Sequence, residues 1–178
     1  ISACLVGSEM CKETGFSITP EVLAKASVGE IEESIRVGGL YRNKSRAIKT
    51  ISRVILEQFN GSLDFIHSLP FEKARKILLN IPGVGPKTAD VVLLFCAGKP
   101  TVPIDTHVNR VSKKLRLASA KADYEGVRRA LETLYLPKDY LPVHLLLISL
   151  GKKYCKARKP LCKPCPVNTL CPSKRVED

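Results

Sequence analysis

Four of the seven cysteines crowd into the last part of the sequence, at Cys155, Cys162, Cys165 and Cys171. Four thiolates can hold either a tetrahedral zinc ion or a [4Fe–4S] cluster. Structural zinc sites usually use two closely spaced pairs, whereas only Cys162 and Cys165 form such a pair here. An odd number of cysteines argues against a disulfide framework. The spacing therefore predicts a metal site, and we expect the isolated Cys4 and Cys96 to pack as small apolar residues.

The segment 81–85, Ile-Pro-Gly-Val-Gly, lies between two helical patterns. Its glycines, Gly83 and Gly85, can adopt positive φ and so let the backbone approach another molecule closely. A helix is predicted to begin directly afterwards at Pro86, where free amides and the helix dipole favour a phosphate. An ordinary tight turn would have a similar pattern, but the basic character of the chain favours phosphate binding.

Lys87 falls in the first turn of the helix after this hairpin, where unpaired amides and the helix dipole oppose a second positive charge. Together with partial burial in a cleft, this position would favour the neutral amine. A neutral lysine amine can attack an electrophilic carbon and form a Schiff base. A simple phosphate contact accounts for the spacing equally well, so both interpretations stay open at this point.

Asp105 stands at the predicted N-cap of another helix, directly before Thr106. A carboxylate held by helix amides stays ionised at neutral pH, so it could stabilise a cationic sugar transition state or accept a proton. Capping alone also explains an aspartate at this position. We interpret His107 as a packing or phosphate-contacting residue, because no serine nucleophile signature accompanies it.

Helices must position these residues, because apolar side chains recur at intervals of three and four and strand signals are nearly absent. The sequence predicts an all-α fold with a helix-hairpin-helix motif at about 72–97. N-caps are predicted at Thr19 and Asp123, and a capping box at Ser27 and Glu30.

The predicted division of the chain is into two helical lobes. Residues 1–117 are expected to form the lobe that contains the helix-hairpin-helix motif. Residues 118–178 are expected to form the second lobe, which ends in the cysteine loop 155–171. The seam is predicted near 118–122, between a helix that ends at about Leu117 and the helix capped by Asp123.

The chain carries 29 Lys and Arg against 17 Asp and Glu, for a formal net charge of +12. Such a charge indicates a polyanionic partner, either nucleic acid or an anionic membrane surface. Lys156, Arg158 and Lys159 lie in the first cysteine loop, where they could contact a polyanion or merely solubilise the chain. The apolar run 91–97 is far shorter than the roughly 20 residues of a membrane span. We therefore expect a soluble, intracellular protein without a membrane segment.

Three motifs in this order resemble the endonuclease III family of helix-hairpin-helix DNA glycosylases: residues 79–90 (LNIPGVGPKTAD), residues 102–110 (VPIDTHVNR) and the cysteine array. The resemblance covers the chain from about residue 20 onward. It implies two helical lobes flanking a DNA-binding cleft, a [4Fe–4S] cluster on the four cysteines, and a base excision repair enzyme. Such an enzyme removes oxidised pyrimidines from duplex DNA and nicks the abasic strand by β-elimination.

The same resemblance assigns residue roles. Lys87 matches the Schiff-base lysine of the family and Asp105 its catalytic aspartate, while Leu40 matches the side chain that the family inserts into the duplex. Residues 1–9 lack the Leu-Ser-x-Gln type segment of the family, and we expect its upstream N-terminal helix to be missing.

Two other functions are compatible with these residues. A monofunctional mismatch or base glycosylase would excise a base without nicking, although such enzymes usually lack a lysine at the position of Lys87. A non-catalytic damaged-DNA-binding module would use only the hairpin and the basic loop. In each case the expected partner is double-stranded DNA with damaged bases or abasic sites. We expect a monomer that is cytoplasmic and nucleoid-associated, or nuclear or mitochondrial in a eukaryote.

Overall fold

A computed structural model of the protein describes residues 18–36 and 41–174, and it contains no β-strand within these ranges. The predicted all-α fold class is confirmed. The α-helices are α1 (Pro20–Lys25), α2 (Val28–Ser34), α3 (Tyr41–Phe59), α4 (Phe65–Ser68), α5 (Phe71–Leu79), α6 (Pro86–Phe95), α7 (Thr106–Lys114), α8 (Tyr124–Leu134) and α9 (Tyr140–Lys153). Short 3-10 turns occupy Pro137–Asp139 and Asn168–Leu170.

The helix starts follow local capping chemistry. The Thr19 side chain accepts a hydrogen bond from the first turn of α1 at 3.4 Å. Ser27 and Glu30 form a reciprocal capping box on α2, with bonds of 3.2 and 2.7 Å. Asp123 accepts the amide of Gly126 at 2.8 Å at the start of α8. These predicted caps are confirmed, because each satisfies amides that a helix leaves unpaired at its first turn.

The described residues up to Gly98 form one compact unit. In this unit α1 and α2 pack against α3, and the Lys49 ammonium donates to the Ala26 carbonyl at 2.6 Å. A second set of contacts joins α5 to α6. The buried apolar core consists of Ile55, Leu63, Ile66, Ala74, Leu78, Ile81, Ala89 and Leu93.

The described residues from Lys99 to Lys174 form the second unit, in which α7 packs against α9. Its core consists of Val102, Ile104, Val108, Val111, Ala118, Val127, Leu131, Tyr140 and Leu147. The division therefore lies between Gly98 and Lys99, not between residues 117 and 118 as the sequence suggested. The reason is that α7 and the segment before it bury their apolar side chains against α8 and α9.

The isolated cysteines were expected to pack as small apolar residues. Cys96 is instead disulfide-bonded. A disulfide needs its two Cα atoms within about 7 Å of each other, and such proximity cannot be read from positions along the chain. The expectation for Cys4 falls outside the described residues. No helix of the described residues is long and apolar enough to cross a membrane.

Candidate functional site

The predicted helix-hairpin-helix motif is formed by α5, the turn 80–85 and α6. Ile81 anchors the turn in the first core at 3% exposure, and its carbonyl accepts the amide of Val84 at 3.0 Å. Gly83 has φ +89°, a conformation that side chains rarely adopt. A β-carbon at Gly83 would come within 3.5 Å of Ala47 on α3, so the turn lies close to that helix.

Gly85 behaves differently from the prediction of a second positive-φ glycine. It has φ −93° and is the N-cap of α6, with nothing within 4 Å of an added β-carbon. An open surface around the backbone, rather than an unusual φ, is what glycine provides here. The first helical hydrogen bond runs from Ala89 to Gly85 at 3.0 Å, so the amides of Lys87 and Thr88 precede it. Exposed first-turn amides of this kind form an anion site.

Lys87 is the second residue of α6, directly after Pro86. The Lys87 side chain is exposed, whereas partial burial was expected from the sequence. The buried side of α6 runs through Ala89, Asp90 and Leu93, and Lys87 lies beside this stripe. Its amine is therefore accessible to a molecule bound at the hairpin amides.

A buried ion pair joins the two helices of the motif, and the residue pattern along the chain does not predict it. Arg75 on α5 donates through Nε to Asp90 Oδ1 at 2.6 Å and through its terminal nitrogen to Oδ2 at 3.2 Å. The side chains are 9% and 0% exposed. The available signal was an aspartate among the apolar residues of α6, because a buried carboxylate requires a partner.

Asp105 is the N-cap of α7, as predicted. Its Oδ1 accepts the amide of Val108 at 2.7 Å, whereas Oδ2 has no hydrogen-bond partner among the described residues. The residue is half-buried and lines a cavity of about 250 Å³. The other lining residues include Asn109, Lys113 and Tyr124. One carboxylate oxygen thus caps the helix while the other remains available for chemistry.

His107 packs rather than forming a triad. A β-carbon on Gly151 of α9 would lie 2.8 Å from the His107 β-carbon, so glycine is required where α7 and α9 approach. The His107 Nδ1 is 3.2 Å from a terminal nitrogen of Arg110. Arg110 also donates to the carbonyls of Gly151 at 3.0 Å and Cys155 at 2.8 Å. It therefore connects α7 to the end of α9 and to the first cysteine.

The four terminal cysteines are half-buried and line one cavity of about 60 Å³ in the second unit. The Asn168 side chain closes the loop by donating to the Cys162 carbonyl at 2.7 Å. Burial raises the pKa of the Cys155 thiol, against the opposing charge of Arg110. Burial alone thus disfavours the thiolate, and a metal cation bound beside the sulfur would stabilise it.

The two metal hypotheses make different demands on these four cysteines, which line one cavity. A single zinc ion needs all its sulfurs about 2.3 Å from one centre. Among residues 18–36 and 41–174, no group of three or more His, Cys, Asp or Glu has the arrangement to hold one ion. A [4Fe–4S] cluster is held by four cysteine thiolates, and four cysteines line this cavity.

The remaining site residues are basic or lie outside the described part. Lys156, Arg158 and Lys159 are all exposed on the first cysteine loop, and Lys159 has φ +49°. Leu40 lies outside the described residues. The hairpin glycines and Lys87 thus share one motif in the first unit. Asp105, the four cysteines and the basic loop belong to the second unit.

The sequence and the fold match known repair proteins. The family described as HhH-GPD superfamily base excision DNA repair protein matches residues 3–137. Endonuclease III of Sulfolobus acidocaldarius is 37% identical over 95% of this chain and 74% of its own length. Endonuclease III of Bacillus subtilis is 35% identical over 89% of this chain and 69% of its own.

A solved structure gives the same result. It is a trapped endonuclease III–DNA covalent intermediate, and it matches with a TM-score of 0.75 and 34% identity. The match covers 88% of this chain and 70% of that one. The all-helical fold described above is accordingly the helix-hairpin-helix glycosylase fold. The chain belongs to the HhH-GPD superfamily of base excision DNA repair proteins and, within it, to the endonuclease III family.

Proposed function

We propose that this chain excises damaged bases from duplex DNA with Lys87 as the nucleophile and Asp105 as the electrostatic partner. Membership of the endonuclease III family makes it a DNA glycosylase and AP lyase that acts on oxidised pyrimidines. The observation that carries the residue assignment is the exposed Lys87 amine on the same hairpin as the free amides of α6. That arrangement combines a phosphate-binding site with an accessible amine.

The hairpin binds the DNA backbone rather than the bases. The amides at Gly83 and Gly85 and at the start of α6 favour a phosphate through hydrogen bonds and the helix dipole. Such contacts fix the position of the strand and carry no sequence information. Lesions can therefore be approached in any sequence context.

The reaction requires that the damaged nucleotide leave the duplex, since C1′ is inaccessible in a stacked base. The Lys87 amine, after losing a proton to water, attacks C1′. The bond between C1′ and the base breaks, and its electron pair leaves with the base, which takes up a proton. The C1′–O4′ bond then breaks, O4′ takes up a proton, Nζ loses one, and the opened sugar carries a Schiff base between C1′ and Nζ. Loss of a C2′ proton then expels the 3′ phosphate by β-elimination.

Asp105 supports the first of these steps. Positive charge develops on the sugar as the base departs, and a fixed carboxylate stabilises it electrostatically. Oδ1 is held by the Val108 amide at 2.7 Å, so Oδ2 is the oxygen left to interact with the sugar. A carboxylate fixed in this way needs little reorganisation when the charge appears.

The [4Fe–4S] cluster of the endonuclease III family would be held here by Cys155, Cys162, Cys165 and Cys171. When bound, it would cross-link the loop 155–171 through four bonds to thiolates. The four cysteines would occupy every protein-ligand position of the cluster, so its role would be structural. The chain's own residues present the loop, because Arg110 and Asn168 hold the carbonyls of Cys155 and Cys162. The exposed Lys156, Arg158 and Lys159 then face the DNA backbone.

The proposal extends to the setting in which the enzyme works. Its substrate is double-stranded DNA that contains damaged bases or abasic sites, and it acts as a monomer. Such a protein works where the genome is, at the nucleoid or, in a eukaryote, in the nucleus or mitochondria. Leu40, at the family position for insertion, would fill the space left by the flipped nucleotide.

Lys87→Gln tests this assignment. Borohydride added during turnover reduces a Schiff base and traps the wild-type protein covalently on damaged DNA. We expect Lys87→Gln to lose both trapping and strand nicking while it binds duplex DNA nearly as well as the wild type. Lys73→Gln is the matched control, because Lys73 is an exposed lysine on α5 away from the hairpin.

The outcome also separates the alternative functions. Undiminished trapping with Lys87→Gln would show that another amine is the nucleophile. Excision by the wild type with neither trapping nor nicking would indicate a monofunctional glycosylase. Binding without excision of any base would indicate a non-catalytic module.

A further inference from the structure

The segment 101–104, directly before Asp105, is buried without being part of a helix. Thr101 and Val102 are 0% exposed and Ile104 is 5% exposed. A buried segment outside regular structure cannot satisfy its own amides and carbonyls, so other groups must supply the hydrogen bonds. In this protein the partners are side chains from α8 and α9.

Glu132 on α8 holds the start of the segment. Its Oε1 accepts the Thr101 hydroxyl at 2.8 Å and the Val102 amide at 3.3 Å. Arg128, one turn earlier on α8, fixes this carboxylate with bonds of 2.8 and 3.0 Å. The contact joins the beginning of the segment to the core of the second unit.

At the end of the segment, both polar groups of one peptide have hydrogen-bond partners. The carbonyl of Pro103 lies 2.9 Å from Nδ1 of the buried His144 on α9. A carbonyl only accepts, so Nδ1 must carry the hydrogen in this contact. The amide of Ile104, in the same peptide group, donates to the Tyr124 hydroxyl on α8 at 3.2 Å.

Holding a peptide group from both sides fixes its plane. The φ of Pro103 is restricted by its ring. Asp105 directly follows Ile104, and its carboxylate caps α7. Tyr124 also lines the same cavity as Asp105. The direction in which Asp105 enters that cavity is therefore set by one peptide plane and by two side chains that hold it.

We propose that Tyr124 and His144 are positioning residues for the excision step: they clamp the Pro103–Ile104 peptide and thereby orient the Asp105 carboxylate. This inference rests on the proposed role of Asp105. Neither side chain needs to touch DNA. A displacement of a reacting group by about 1 Å can cost on the order of 10²-fold in rate, so loss of the clamp acts on catalysis at a distance.

The test compares two steps that depend differently on Asp105. Single-turnover excision at a damaged base needs the Asp105 carboxylate. Borohydride trapping on a preformed abasic site needs Lys87 but involves no departing base. We expect Tyr124→Phe to slow excision by about 10-fold or more and to leave trapping within about twofold of the wild type.

Two further sets of variants separate the clamp from general packing. His144→Asn places its amide nitrogen near the position of Nδ1 and should retain excision, whereas His144→Leu cannot donate and should slow excision without slowing trapping. Tyr135→Phe is the matched control for Tyr124→Phe, because Tyr135 packs against the same core. It should leave both steps unchanged.

Specific outcomes would overturn the proposed clamp. Normal excision by Tyr124→Phe and His144→Leu would overturn the clamp, as would equal losses in excision and trapping. Asp105→Asn serves as the reference and should show the same pattern as the clamp variants. If Asp105→Asn excises normally, the role assigned to Asp105 fails, and a wild type that excises no base refutes the proposed function itself.

Discussion

Asp105 uses its two carboxylate oxygens for different purposes. Oδ1 accepts the Val108 amide and so begins α7, while Oδ2 remains available. Because asparagine caps a helix about as well as aspartate does, the structural and catalytic roles can be separated by removing the charge alone.

Asp105→Asn should therefore fold with little change in melting temperature. We expect its excision rate to fall by about 10²-fold or more, as is typical when a group that stabilises a transition-state charge is removed. Single-turnover excision and thermal unfolding measure the two effects. Asp139→Asn is the matched control, since Asp139 precedes α9 without a side-chain capping bond. An excision rate within about threefold of the wild type would contradict the assignment.

At the residue scale, local chemistry is what the sequence predicts well. The caps at Ser27, Asp105 and Asp123 follow from contacts three residues apart, so the chain itself encodes them. The exposure of Lys87 and the ordinary φ of Gly85 depend on what surrounds them. Neighbours distant in sequence decide those properties, and residue types alone therefore did not give them.

At the scale of elements, the buried pair of Arg75 and Asp90 joins α5 to α6 and so fixes the two helices on either side of the turn 80–85. Removing one partner leaves an uncompensated buried charge, whereas replacing both by apolar residues of similar size removes the desolvation penalty as well. The pair thus offers a thermodynamic test of how the motif is held.

Asp90→Leu should lower the free energy of unfolding by about 3–5 kcal/mol. The double variant Arg75→Met with Asp90→Leu should recover most of that loss, because no buried charge is left alone. Denaturant unfolding of the wild type, both single variants and the double variant completes the cycle. A double variant as unstable as Asp90→Leu would show that the pair does more than balance two charges.

The sequence predicts the helices better than it predicts their partners. Apolar periodicity predicts the two helices of the motif at about 72–97, close to the observed α5 and α6, since it reflects which face of a helix is buried. The pair of Arg75 and Asp90 spans 15 positions and becomes visible only when the two helix faces are brought together. The unit boundary after Gly98 was missed for the same reason.

At the scale of the whole molecule, charge and cysteines meet in the C-terminal part of the chain. From residue 152 onward there are eight Lys and Arg and two acidic residues. A fixed loop holds basic side chains in place more effectively than a free tail. The metal site and the DNA affinity of this part are therefore expected to depend on each other.

The purified protein should contain iron and show the broad visible absorption of a thiolate-bound cluster. Cys162→Ser should lower the iron content and weaken DNA binding, because the loop that carries Lys156 and Arg158 loses its anchor. Metal analysis of protein purified without oxygen, together with a DNA-binding titration, measures both effects. Stoichiometric zinc without iron would contradict the cluster.

The basic loop should also determine how DNA binding responds to salt. Each phosphate contact releases counterions and adds about 0.9 to the slope of log affinity against log salt. Charge reversal at both Lys156 and Arg158 should therefore weaken binding and reduce the magnitude of that slope by about 2. Reversal at the exposed Lys121 and Lys138 changes the net charge equally and serves as the control. If both pairs changed the slope by the same amount, net charge alone would explain binding, because a specific contact surface requires the loop positions to have the larger effect.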